Sequence, residues 1–221
     1  MNLLIRGDLE VSKNILIVES ENDKYFFQAL VDDLQSDIES VEAVCNIDEY
    51  ECLGGISKLE PKLIALKRRI SKDDISKIGI IFDADAVGIK KRTEDIKKLT
   101  DEILSDISDL EIEVYILNVD GAGDLETLLK TIKSEDSLHA DCLDGWRECL
   151  DSNDKKVTDK EFDKFWVSIY QRYDCCDKKE KKQAGSKCNN EASYKKPIWD
   201  FNHPALEELK KFLTTFSTPS Q

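Results

Sequence analysis

Residues Ile78-Gly-Ile-Ile-Phe-Asp-Ala-Asp-Ala-Val-Gly88 decide how this chain is built. An unbroken run from Ile78 to Phe82 leads straight into Asp83, Ala84 and Asp85, with Gly88 closing the turn. Such a run has no polar face to offer to water, so it reads as a strand buried on both sides, as in a parallel sheet. Two acids at its end place carboxylates where open parallel sheets bind their ligands, outside the carboxyl ends of the strands.

The same design recurs on either side. Upstream, Asn14-Ile-Leu-Ile-Val-Glu19 is another short apolar run ending in an acid. Ser20 then offers a helix N-cap with Asp23 as its capping-box acid, and Phe26, Phe27, Leu30 and Leu34 follow at helical spacing. A second strand is expected over Val41–Ile47. Gly54-Gly55 then interrupts the chain before a helix with Leu59, Leu63, Leu66 and Ile70 on one face. Downstream of Gly88 comes a charged helix with Ile96, Leu99, Ile103 and Ile107. A fourth strand over Ile112–Val119 and a helix over Leu125–Ile132 follow it. Strands alternating with helices imply βαβ units. The expectation is an α/β fold with a mainly parallel four-stranded sheet flanked by helices over residues 1–133. Residues 134–221 form a C-terminal helical elaboration packed on that core, with Phe162, Trp166, Trp199 and Phe212 buried. Within it, the Lys-rich stretch at about 176–196 reads as a mobile loop.

Composition narrows the function. The chain has 221 residues, 40% hydrophobic and 35% charged, which suits a globular domain and excludes a disordered one. Its apolar runs are far too short to span a bilayer, and residues 1–12 lack the apolar core of a signal peptide. The seven cysteines fall in no C-x-x-C pair, so the expectation is reduced thiols in a cytoplasm and no zinc at Cys142, Cys149 and His139 or at Cys175, Cys176 and Cys188. Net charge is −14, which repels a phosphate backbone unless metal ions or a local basic patch bring it in.

The acids at the strand ends supply the place for such ions. Glu19 follows the first strand, Asp83 and Asp85 the third, and Asp124 with Glu126 the fourth. Alternation along a strand sends Asp83 and Asp85 to the same side, with Ala84 opposite. Neighbouring carboxylates repel each other unless a cation sits between them, and magnesium takes hard oxygen ligands of this kind. Each acid has an ordinary structural use, Asp23 as a cap and Glu126 in the first turn of a helix. Their recurrence at successive strand ends is what points to a site.

These residues carry a resemblance. Ile15-Leu-Ile-Val-Glu19, followed by Asp23 and the pair Phe26-Phe27, resembles the first motif of the Toprim domain, and Asp83-Ala-Asp85-Ala-Val-Gly88 resembles its D-x-D-x-x-G motif. Gly123-Asp-Leu-Glu126 and the tail Trp199-Asp-Phe-Asn-His-Pro-Ala-Leu206 are most similar to small stand-alone Toprim-like proteins related to nucleases of the overcoming-lysogenization-defect (OLD) type. Ser20 departs from the glycine usual after the first motif. The resemblance implies a Rossmann-like Toprim core and magnesium or manganese held by Glu19, Asp23, Asp83, Asp85 and Glu126. It implies hydrolysis of phosphodiester bonds in DNA or RNA, with Glu19, Asp83 and Asp85 as catalytic residues, and a role in phage defence. A basic residue is expected beside the metals, with Lys90, Lys91 and Lys196 as candidates. The alternative is an inactive Toprim-like subunit that binds or regulates a larger partner such as an ATPase. The chain has no Walker A motif of its own, and homo-oligomerisation is left open.

Overall fold

The computed structural model describes residues 12–44, 55–182, 188 and 190–217. Its centre is a four-stranded sheet of β1 (Lys13–Val18), β2 (Ile38–Ala43), β3 (Ile75–Asp83) and β4 (Glu111–Leu117), in the order β2-β1-β3-β4. All three strand pairings are parallel, and Val18 lies opposite Ile81 in the β1–β3 register. The α/β expectation therefore holds. The second strand begins earlier than its sequence suggests, at Ile38, and residues 45–47 of the expected span lie outside the described residues, as do Gly54, Cys45 and Cys52.

Alternation along β1 splits the core in two. Ile15 and Ile17 join Ile78, Ile80 and Phe82 of β3 beneath α2 (Leu59–Asp73) and α3 (Ile89–Leu104). Leu16, Val18 and Ile81 face the other way, towards α1 (Glu21–Leu34), α4 (Leu125–Thr131) and α9 (Glu207–Thr214). That second layer also contains Phe162, Trp166 and Trp199, so the elaboration and the sheet share one hydrophobic cluster. The helices α5 (Leu138–Asp151) and α6 (Asp159–Ile169) pack through it, and a π-helical turn over Tyr170–Asp174 follows α6. Phe212 is only partly buried, against Tyr115. Leu209 and Leu213 turn inward instead, because the periodicity of α9 puts them on its inner stripe, and Phe216 is buried in the turn that follows the helix.

The described part of the Lys-rich stretch is partly helical. It contains two short helices, α7 (Lys178–Lys182) and α8 (Asn190–Tyr194). A disulfide joins Cys176 to Cys188, correcting the expectation that every thiol is reduced. Cys142, Cys149 and Cys175 are free thiols. Tyr194 packs edge-on against Phe26 with ring centroids 5.7 Å apart, and its hydroxyl donates to Asn22 Oδ1 at 3.1 Å. The stretch is thereby tied to the first turns of α1. Among the described residues, no helix is long and apolar enough to cross a membrane.

Close approach explains one glycine. A Cβ on Gly79 would lie 2.7 Å from Leu16 Cδ1 and 2.7 Å from Phe216 Cζ, so the missing side chain lets the tail lie directly on the sheet. Asn14 Nδ2 donates to the Phe216 carbonyl at 2.9 Å and fixes that contact. Gly79→Val should therefore destabilise the fold by about 1–3 kcal/mol through overpacking. Combining it with Phe216→Ala should cost less than the two single losses added together, as measured by urea denaturation.

Candidate functional site

The site lies where the strand order reverses. β1 sits centrally and the chain leaves it first towards β2 and later towards β3, so a crevice opens between the carboxyl ends of β1 and β3. Glu19 follows β1 directly and Asp83 is the last residue of β3. Asp83 is buried and Glu19 half-buried. One Glu19 oxygen, Oε2, is buried without a hydrogen-bond partner.

Asp85 reaches the crevice by a different route from the one strand alternation predicts. β3 ends at Asp83, and Asp85 adopts a left-handed backbone at φ 46°. Its amide donates to the Gly123 carbonyl at 3.2 Å, which binds the turn to the loop after β4. Gly88, at φ 83°, then starts α3, a left-handed requirement that glycine meets without steric cost. One turn into α3, the buried Arg92 donates from Nη2 to Asp85 Oδ2 at 3.1 Å.

Two further acids come from the loop after β4. Asp124 is buried and caps α4, its Oδ1 accepting from Thr127 N at 3.1 Å and from Thr127 Oγ1 at 3.0 Å. Glu126 is half-buried in the first turn of the same helix. Asp23 forms the expected capping box, its Oδ2 accepting from Ser20 N at 2.7 Å while Ser20 Oγ accepts from Asp23 N at 3.2 Å. Ser20, the departure from the Toprim pattern, thus makes the cap that holds Asp23 beside the crevice.

The cation facing these acids comes from a helix that their spacing does not reveal. Lys160, in the first turn of α6, donates from Nζ to Asp85 Oδ1 at 2.5 Å, and Nζ lies 3.8 Å from Asp124 Oδ2. The capping box of Thr158 and Glu161 starts α6 and positions that turn. Despite partial burial, the bond to Asp85 and the charges of Asp83 and Asp124 hold the Lys160 ammonium well above the ordinary lysine range. The expected basic residues are elsewhere. Lys90 and Lys91 are exposed on α3, with Lys91 paired to Asp95, and Lys196 pairs with Glu180 at 2.8 Å. Lys160 lies 75 positions after Asp85, so only the docking of α6 reveals it.

Positive charge falls short of negative charge here. Burial, followed by the charges of Asp23, Glu19 and Asp124, raises the Asp83 carboxyl well above its ordinary range. Burial also pushes Asp23 up to about 7, with Glu19 and Glu126 adding to the shift against the Ser20 bond. Glu19 is raised by burial and by Asp85, and Glu126 by burial and by Asp124. The possible metal ligands in the cluster are carboxylate oxygens, which suit magnesium or manganese rather than zinc or copper. Among the described residues, no three His, Cys, Asp or Glu side chains form a ready-made metal-ligand set. The contacts account for that: Asp85 is turned to Lys160 and Arg92, and Asp23 to the Ser20 amide.

Fold and cluster together define an α/β protein with an acid-lined crevice at the switch point of a parallel sheet. Residues 13–218 match the model of a family described as proteins of unknown function (DUF3226), and the chain belongs to that family. No curated protein and no solved structure matches it.

The buried acids give a signed pH dependence. An unfolded aspartate titrates near pH 4, whereas folded Asp23 titrates at about 7 and Asp83 is also raised. The folded chain therefore holds extra protons between those values. This contribution to stability is fully present below about pH 4 and is lost as pH rises through about 7. In EDTA, unfolding free energy should rise on acidification from about pH 8 to about pH 5.5, and Asp83→Asn should flatten the rise. A wild-type profile that is level or falls over this interval contradicts the site.

Proposed function

We propose that this protein is a metal-dependent phosphodiesterase of the Toprim type, acting on DNA or RNA. The observation that carries the reading is the buried surplus of carboxylates at the switch point, with Glu19 Oε2 lacking any partner. Glu19, Asp83 and Asp85 would hold magnesium or manganese, with Asp124 and Glu126 on the β4 side of the crevice and Asp23 behind it as a cap. Bound there, the metal would activate water and offset charge on the departing oxygen of an in-line displacement, and two-metal sites place their ions about 4 Å apart.

The chain's own residues have definable parts. Arg92 stays on Asp85 and fixes the left-handed turn. Lys160 donates to Asp85 at the mouth of the crevice, where its ammonium would offset charge on a substrate phosphate beside any metal held by Asp85. Glu19, its carboxyl raised by burial and by the charge of Asp85, is the group placed to exchange a proton with the attacking water. Cations at this single place let a chain of net charge −14 accept a polyanion. A role in phage defence accompanies this reading through the resemblance alone, and a cytoplasmic location through the reading of cysteine usage.

A second reading draws on Lys160 and Arg92, which already offset Asp85. On it, the chain is an inactive Toprim-like subunit that binds or regulates a larger partner such as an ATPase.

Cleavage of single- and double-stranded DNA and of RNA, assayed with magnesium and with manganese, separates the two. Hydrolysis should be metal-dependent and lost in Asp83→Ala. Lys160→Ala should lower it by about 100-fold or more, the usual cost of removing one group that stabilises transition-state charge. Metal binding without cleavage of any substrate favours the second reading. Absence of binding at millimolar metal contradicts both the site and the enzyme.

A further inference from the structure

Helix α5 is amphipathic, and its outer stripe faces away from the core. Ala140 is its only fully buried residue, with Leu143 partly buried against the core. On the outer side, Leu138, Cys142, Trp146 and Cys149 recur at helical spacing, within an arc of about 80° at 3.6 residues per turn. Leu138 is 74% exposed and Trp146 39%, and both cysteines are exposed. Phe165 of α6, 56% exposed, stacks on Trp146 with centroids 5.8 Å apart and planes 17° apart, which widens the stripe across two helices. Contiguous exposed apolar surface of this kind marks an interaction site.

Two further features say what covers it. Gly145 lies mid-helix at the edge of the stripe, between Leu138 and the acidic border, where a Cβ would meet nothing within 4 Å. A helix-interior glycine costs about 1 kcal/mol relative to alanine, and no contact among the described residues requires it here. The missing side chain leaves room for another backbone to come close. The stripe also has an acidic border, with Asp144, Glu148 and Asp151 exposed on α5. The helix's one arginine, Arg147, is tied to Asp159 and lies 4.8 Å from the centroid of the Phe162 ring. A second copy of the chain would set acid against acid, and a phosphate backbone would be repelled. We propose that the outer face of α5, with Phe165, docks an amphipathic basic helix from a partner protein, its apolar residues on the stripe and its lysines or arginines on the acidic border. This surface is independent of the acidic crevice, which Lys160 reaches from another side of α6.

The test uses the intact protein and two synthetic amphipathic helices with identical leucine spacing, one with lysine and one with glutamate at the polar positions. Binding is followed by the emission of Trp146, since Trp166 and Trp199 are only 1% and 5% exposed, and by residue-resolved alkylation of Cys142 and Cys149. The lysine peptide should bind and protect Cys142 and Cys149 but not Cys175, while the glutamate peptide should do neither. Gly145→Gln, which fills the close-approach point with a helix-favouring neutral residue, should weaken binding roughly tenfold or more without lowering the melting temperature. Leu138→Ser with Phe165→Ser should weaken it similarly. The proposal is overturned by any of four results: no binding, binding that these variants leave unchanged, wild-type dimers that they dissociate, or protection of the two cysteines by a single-stranded oligonucleotide instead.

Discussion

A carboxylate almost out of water, with other carboxylates around it, cannot carry its charge cheaply, and Asp83 is in that position. Two like charges about 4 Å apart repel by about 4 kcal/mol at an effective dielectric of 20, and removal from water adds to that. The molecule has few ways to offset the cost. It can hold protons, as the raised Asp83 and Asp23 carboxyls indicate, or supply its own cations, as Arg92 and Lys160 do at Asp85. The proposal for function adds a third way, a divalent ion.

The rest of the architecture serves that arrangement. Strands β1 and β3 are apolar on both faces, so helices must cover the sheet on both sides and only its ends are left for polar groups. The capping box of Ser20 and Asp23, the left-handed turn at Asp85 and the Asp124 cap on α4 each satisfy backbone donors while aiming a carboxyl at one crevice. Helix α6 closes the arrangement. Its apolar side, through Phe162 and Trp166, is buried in the cluster shared with the sheet, and its first turn carries Lys160 to Asp85. The elaboration is therefore part of the site.

Much of this is legible in the sequence because it is local. The apolar runs ending in acids give the sheet and its functional edge, and the Ser20 to Asp23 spacing gives the first cap. What escapes is set by tertiary packing. Asp124 stands in the acid cluster after β4, but its burial beside Lys160 depends on where α6 docks. Lys90 and Lys91 are near the D-x-D motif in sequence, yet they sit on the solvent side of α3, whereas Arg92, one residue further, turns inward to Asp85. The joining of Cys176 to Cys188 likewise follows from the fold of the tail, not from a cysteine pattern. The start of β2 at Ile38 comes from its register against β1, with Asn14 opposite Ile38.

Proton release on metal binding tests the central claim most directly, because a pocket that holds protons to relieve carboxylate repulsion must give them up to a cation. Calorimetric titration of manganese near pH 6.5, in buffers of different ionisation enthalpy, measures that release. The account predicts net protons released by the wild-type chain and fewer or none by Asp83→Asn. Manganese binding with no proton release, or with the same release in Asp83→Asn, contradicts it.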